Sequence, residues 1–176
     1  MKRKIIIDPG HGGIDPGAVG EFSEEKNIVL SMANILKELL QMQGFDTRLT
    51  RRDDIKPSWP DRVKSKEEDL FVSLHCNAVA AQNVKGISNY HYPGSETGEK
   101  LAHAIQENLM SAFDTRNKGV KEKYWYVLRN TKCPAVLVET GFISNPKEEE
   151  KLNRFSYQVK AMLAIVEAIK TIKESD

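Results

Sequence analysis

Short apolar runs alternate with helical patterns along this chain. Lys4–Asp8 carries three consecutive isoleucines and reads as a buried strand. Glu25–Gln43 sets Val29, Ala33, Leu36 and Leu40 at the spacing of one helical face, with Gly44 placed to end the helix. Thr47–Thr50 follows as a strand, and Asp61–Lys66 as a short helix. Leu70–His75 is again a continuous apolar run, closing on a polar cluster, and Ile87–Tyr92 is a strand with more alternation. Ser95 can cap a helix that carries Leu101, Ile105, Leu109 and Phe113 near one stripe. Tyr124–Leu128 and Ala135–Thr140 read as the last strands. Asn145-Pro146-Lys147-Glu148 then places a cap, a proline at the first helical position and an acid at the third. A final helix, about Tyr157–Ile172, is expected to pack through Val159, Leu163, Val166 and Ile169. Strands alternating with helices predict an α/β fold, an open and mostly parallel sheet with helices on both faces. Such sheets place their sites beyond the carboxyl ends of the strands.

Composition changes this picture little. With 176 residues, 40% hydrophobic and 29% charged, the chain suits one globular domain spanning 1–176, and no repeat or linker divides it. The formal charge of +1 gives no field that would recruit nucleic acid. A basic stretch, Arg48 through Arg52, sits among Asp46, Asp53 and Asp54 and reads as solvated surface. Cys76 and Cys133 form no disulfide framework, although one bridge between them is open. The basic start is followed by too short an apolar run for an export signal, and no stretch approaches the roughly 20 apolar residues of a membrane span.

Four polar features fall where the sheet rule puts a site. Asp8-Pro9-Gly10-His11-Gly12-Gly13 follows the first strand, Ser73-Leu74-His75-Cys76-Asn77 closes the third apolar run, and Val138-Glu139-Thr140-Gly141 closes the last. Glu24 and Glu25 open the first long helix on the same edge. The glycine-rich loop lacks GxGxxG and the Lys-Ser of a P-loop, which argues against a nucleotide site. Each remaining feature has an ordinary reading: a structural histidine, a carboxylate favoured by a helix dipole. Together they are more specific. Two histidines and a glutamate are a catalytic zinc set whose fourth position stays open to water. A second carboxylate, binding no metal, must then move the proton, and Glu139 at the end of a buried strand suits that task because burial raises its pKa.

At these residues the chain resembles the zinc-dependent N-acetylmuramoyl-L-alanine amidases of the autolysin type, the Amidase_3 family, from about Lys4 to Ile169. The resemblance rests on Ile7-Asp8-Pro9-Gly10-His11-Gly12-Gly13, Asp15-Pro16-Gly17-Ala18-Val19-Gly20, Glu25-Lys26-Asn27, Leu49-Thr50-Arg51 and Leu70 through Ala78. It continues in Lys118-Gly119-Val120, Val127-Leu128-Arg129 and Pro134 through Asn145. It implies a single domain with a six-stranded sheet, one Zn2+ per chain on His11, Glu25 and His75, and Glu139 as the catalytic carboxylate. Glu25 is preferred to Glu24 because the family's ligand directly precedes a Lys-Asn or Lys-Asp pair. It further implies hydrolysis of the amide between N-acetylmuramic acid and L-alanine in peptidoglycan, in the cell wall or periplasm, by a monomer. A phage endolysin of the same chemistry and a catalytically silent wall-binding protein are the alternatives. The span from Asn77 to Gly86 is too short for the inhibitory helix of some relatives, so an open site is expected.

Arg129, read as ending a strand at the same rim, is a candidate to hold a stem-peptide carboxylate in a bidentate pair. Asn77 is a candidate to orient a ligand or bond the substrate amide. Cys76 is read as packing, since strand alternation turns it away from the face of His75. His91 and His103 are read as structural.

Overall fold

The computed structural model describes residues 2–64 and 67–172. Its elements run β1 (Lys4–Pro9), α1 (Glu25–Met42), β2 (Asp46–Leu49), α2 (Trp59–Val63), β3 (Leu70–Asn77), β4 (Ile87–His91), α3 (Glu96–Ala112), β5 (Asn117–Glu122), α4 (Tyr126–Arg129), β6 (Ala135–Phe142), α5 (Pro146–Leu152) and α6 (Phe155–Thr171). The strands form one six-stranded sheet of order β2-β1-β3-β6-β4-β5. β2, β1, β3 and β6 are mutually parallel; β4 runs antiparallel to β6, and β5 parallel to β4.

The continuous apolar runs are the three strands covered on both faces. Ile5, Ile7, Val72, Leu74, Cys76, Val136 and Val138 point into the larger core, against α1, α3 and α6. Ile6, Phe71, Ala135 and Leu137 point the other way, into a smaller core with Val63 of α2 and Val127 and Leu128 of α4. The layers are therefore three, but unequal: long helices on one face, two single-turn helices on the other. The same alternation carries Asp8, Ser73, His75 and Glu139 onto the thinly covered face, at the carboxyl ends of β1, β3 and β6. There the thin cover leaves a cleft.

The helix signals hold where a cap is present. Ser95 accepts from Gly98 N, and Asn145 accepts from the N–H groups of Lys147 and Glu148. Three expectations need correction. The apolar stretch Tyr124–Leu128 is no strand: Leu128 N and Arg129 N both donate to Trp125 O, the bonds of a helical turn. The missing strand is β5, a polar, lysine-bearing edge. The short helix starts at Trp59 after the Ser58 cap, earlier than Asp61, and the Ser65 and Lys66 of the expected span lie outside the described residues. On α6, Leu163 is 44% exposed, and the inward stripe runs instead through Met162, Ile165, Val166 and Ile169.

Candidate metal centre

The loop after β1 folds back over the sheet edge. His11 adopts a left-handed conformation, φ 59°, between Gly10 and Gly12, a geometry that costs a non-glycine residue about 1–2 kcal/mol. Two buried arginines hold it. Arg51 donates to Pro9 O (3.1 Å), Gly10 O (2.9 Å) and Lys26 O (2.7 Å). Arg62 donates to Pro9 O at 3.0 Å and to His11 O. The reading of residues 48–52 as solvated surface therefore fails at Arg51, which is 2% exposed. Its donors are directed at main-chain carbonyls of the loop and of the first turn of α1, tying the two together.

Turned in this way, His11 meets Glu25, the first residue of α1. His11 Nε2 lies 3.1 Å from Glu25 Oε2, and His75 Nδ1 lies 2.9 Å from Glu25 Oε1. The imidazole planes stand at 80° with centroids 5.0 Å apart. One donor atom from each residue falls within 4.8 Å of the others, which makes this a set able to hold a metal ion. Glu25 is fixed by two further donors, Cys76 N (2.9 Å) and Ala18 N (2.8 Å). His11 Nδ1 lies 3.1 Å from Asp15 Oδ1, leaving Nε2 for a ligand. Glu24, by contrast, is the half-buried cap residue and pairs with Lys26.

Close approach demands glycine at two positions. A Cβ on Gly10 would fall 2.3 Å from His75 Cε1, and one on Gly17 would fall 2.6 Å from both Glu25 Oε2 and His11 Cδ2. Neither glycine can gain a side chain without displacing a ligand.

Two carboxylates are buried on this face, and their environments differ. Asp8 is saturated: it accepts from Thr50 Oγ1 (2.6 Å), Arg62 Nη1 (2.8 Å) and Ser73 Oγ (2.7 Å). Glu139 has a buried oxygen, Oε2, with no hydrogen-bond partner. Burial pushes its pKa up to about 7 against the opposing charge of His75, and the Glu25 carboxylate adds to the rise. Glu25 shows the reverse: burial would raise its pKa, but hydrogen bonds to His11 and His75 outweigh that and hold it far below the carboxylate range. Burial lowers the His75 pKa less than the Glu25 hydrogen bond and charge raise it. One site thus holds an ionised carboxylate between two imidazoles and a second carboxylate poised near neutrality.

These groups open into a cleft of about 340 Å³ whose walls include His11, His75, Glu139, Trp59, Trp125 and Tyr126. No helix lies in residues 78–86 to cover it. Cys76 faces the opposite core and its thiol is pushed well above its ordinary pKa by burial, as packing requires. Cys76 and Cys133 are both free. Arg129 is exposed at the end of α4, not of a strand, and does not line the cleft; nor does Asn77, whose carbonyl accepts from Ile143 N. His91 is buried in β4 and His103 exposed on α3. The structural roles of Asp8, Asp15, Arg51 and Arg62 went unread in the sequence. Of these only Asp8 left a signal, a polar side chain closing a strand that is otherwise apolar.

The family model for N-acetylmuramoyl-L-alanine amidase matches residues 5–171. YqiI of Bacillus subtilis is 39% identical over 95% of this chain and 83% of its own length. The N-acetylmuramoyl-L-alanine amidase LytC of the same organism is 38% identical over 92% of this chain, which spans 34% of that protein. The crystal structure of the N-acetylmuramoyl-L-alanine amidase from Clostridium difficile 630 superimposes with a TM-score of 0.92 at 32% identity, over 97% of this chain and 96% of that one. The fold and site define a single-domain α/β protein with an open two-histidine, one-glutamate centre. The chain belongs to the N-acetylmuramoyl-L-alanine amidase family.

Proposed function

We propose that this chain hydrolyses the amide joining N-acetylmuramic acid to the L-alanine of a stem peptide, with one Zn2+ on His11, Glu25 and His75 and with Glu139 carrying the proton. The observation that carries this reading is the unpartnered, buried oxygen of Glu139 in the same cleft as the three converging donors. Two imidazole nitrogens and one carboxylate are a donor set suited to zinc, and Gly10 and Gly17 let the three donor side chains pack closely enough to form it.

When bound there, zinc polarises the scissile carbonyl and acidifies a water. The residues supply the rest. Glu139 takes a proton from the attacking water as the carbon–oxygen bond forms, then delivers it to the alanine nitrogen as the carbon–nitrogen bond breaks. A carboxyl with a pKa of about 7 can perform both halves. Asp15 holds His11 in one tautomer, and the Cys76 and Ala18 amides hold Glu25 bidentate between the histidines. Arg129, exposed beyond the cleft lining, is left to a stem-peptide carboxylate that lies outside the aromatic wall. Asn77, at the end of β3, lies outside the cleft lining and takes no part in the proposed step.

The substrate places the reaction outside the cytoplasmic membrane, in the wall or periplasm, and a monomer suffices because every proposed group comes from one chain. Among the described residues no helix is long and apolar enough to cross a membrane. Digestion of purified peptidoglycan, followed by mass spectrometry, tests the reading. Peptides with a free L-alanine amino terminus and glycan with a free lactyl carboxylate are expected, and a chelator should abolish both. New reducing sugar ends, or cuts between amino acids, would overturn it.

A further inference from the structure

One wall of the cleft is built from aromatic rings that the core does not need. Trp59 opens α2 and Tyr126 opens α4, and their ring centroids lie 5.4 Å apart at an interplanar angle of 47°. Trp59 is 56% exposed and Tyr126 39%, although both elements pack their next apolar residues, Val63 and Val127, into the smaller core. Trp125 continues the wall, 38% exposed, against Tyr90 at 4.6 Å. Large rings left half in water next to a catalytic cleft mark a binding surface. They line the same cavity as His11, His75 and Glu139.

The geometry points to this wall as the glycan subsite: Trp59 and Tyr126 stack the apolar C–H face of an N-acetylated pyranose on the carbohydrate side of the scissile amide. This rests on the proposed reaction, since the substrate must carry a sugar on one side of the bond. Chemistry chooses the sugar over the peptide. The stem peptide bears free carboxylates, and the two cations that line this cleft already face carboxylates: Lys56 lies 3.5 Å from Asp15 Oδ2 and Arg62 is buried against Asp8, while Lys123 lies over the Trp125 ring outside that lining. N-acetylated hexosamine rings present flat C–H faces, which match ring planes, and the muramic lactyl carboxyl carries no charge while it is held in the scissile amide. The short helices α2 and α4 thus do more than cover the sheet. Their first residues set how the chain recognises a wall polymer.

The test uses the full chain carrying Glu139→Gln, whose turnover is suppressed, and peptide-free glycan tetramers of alternating N-acetylglucosamine and N-acetylmuramic acid. Tryptophan fluorescence should change on titration, and a further Trp59→Ala or Tyr126→Ala should weaken binding about tenfold each, the scale of one stacked ring. Trp59→Phe should restore most of the loss, while circular dichroism confirms the fold of each variant. Equal binding by Trp59→Ala, or failure of the glycan to bind while the peptide alone binds through Trp59, overturns the proposal. The reaction itself is judged separately. Wild-type cleavage of peptidoglycan with glycan-independent binding sinks only the subsite, whereas absence of cleavage sinks the reading on which it rests.

Discussion

His75 and Glu139 are direct register partners on the neighbouring parallel strands β3 and β6. The pairing fixes the proton-carrying group relative to a metal ligand through the sheet itself, the most rigid element available. Replacing Glu139 by glutamine keeps shape and removes the charge. Glu139→Gln should retain zinc near one per chain and lose about 10²–10⁴-fold in turnover. Wild-type rates in that variant would refute the assignment.

The same carboxyl gives a pH signature in the metal-free protein. Its pKa is raised from the ordinary 4.5 to about 7, so the folded chain holds this proton more tightly than the unfolded one. The stabilisation is fully present below pH 4.5 and is lost as the pH rises through about 7. Relative to Glu139→Gln, chelated wild type should therefore weaken by on the order of 3 kcal/mol across that window. Parallel denaturant midpoints at pH 4.5 and pH 8 measure it. A constant difference between the two proteins would show that Glu139 ionises normally.

Metal retention should follow the ligands and the space they need. His11→Ala and His75→Ala should lose most bound zinc. Gly10→Ala should fold but bind zinc about 10–100-fold more weakly, because its Cβ falls 2.3 Å from the His75 ring. Zinc competition with a chromogenic chelator reads all three. Unchanged affinity in Gly10→Ala would mean that the His75 ring is free to move.

Much of this was legible in the chain itself, and the failures have physical causes. Ile5–Ile7, Phe71–Leu74 and Val136–Val138 announced central strands because both faces are covered, so apolar residues need not alternate. The ligands were legible because the carboxyl ends of those strands are the one edge where polar residues converge. β5 was hidden because an edge strand exposed to solvent has no apolar pattern to show. Tyr124–Leu128 misled because aromatic and branched residues favour strands, whereas a four-residue helix is too short to display a helical period. Arg51 looked like surface because its partners are main-chain carbonyls, which leave no trace in a sequence.

Arg62 and Asp8 form a buried ion pair at 2.8 Å. Removing the guanidinium leaves Asp8 charged and buried and also frees the carbonyls of Pro9 and His11. Arg62→Ala should cost about 3–5 kcal/mol in unfolding free energy. Urea titration of the metal-free chain checks this, and a loss below about 1 kcal/mol would indicate that water enters and satisfies Asp8.

Glu149, on α5, is fully buried and reaches across to the segment that delivers Glu25. It accepts from Glu21 N (2.8 Å), Phe22 N (3.0 Å) and Ser23 Oγ (2.7 Å). Burial alone would raise its pKa; these donors lower it, so it is held as the carboxylate. The turn it pins is closed by Gly20 N to Ser23 O at 2.9 Å, and Glu25 N then donates to Ala18 O at 2.9 Å. Glu149 touches no metal ligand, yet it sets the start of α1. Glu149→Ala leaves three donors without partners, each costing about 1–3 kcal/mol if still buried. The chain can relieve that cost by letting residues 20–23 open to water. Amide exchange should therefore accelerate in residues 18–25, and zinc affinity should fall about tenfold or more as Glu25 loses its fixed position. Glu149→Gln keeps an acceptor oxygen and should recover part of both effects. If zinc affinity stays at the wild-type level while exchange accelerates, the centre is held by Cys76 N and Ala18 N alone, and the turn serves stability only.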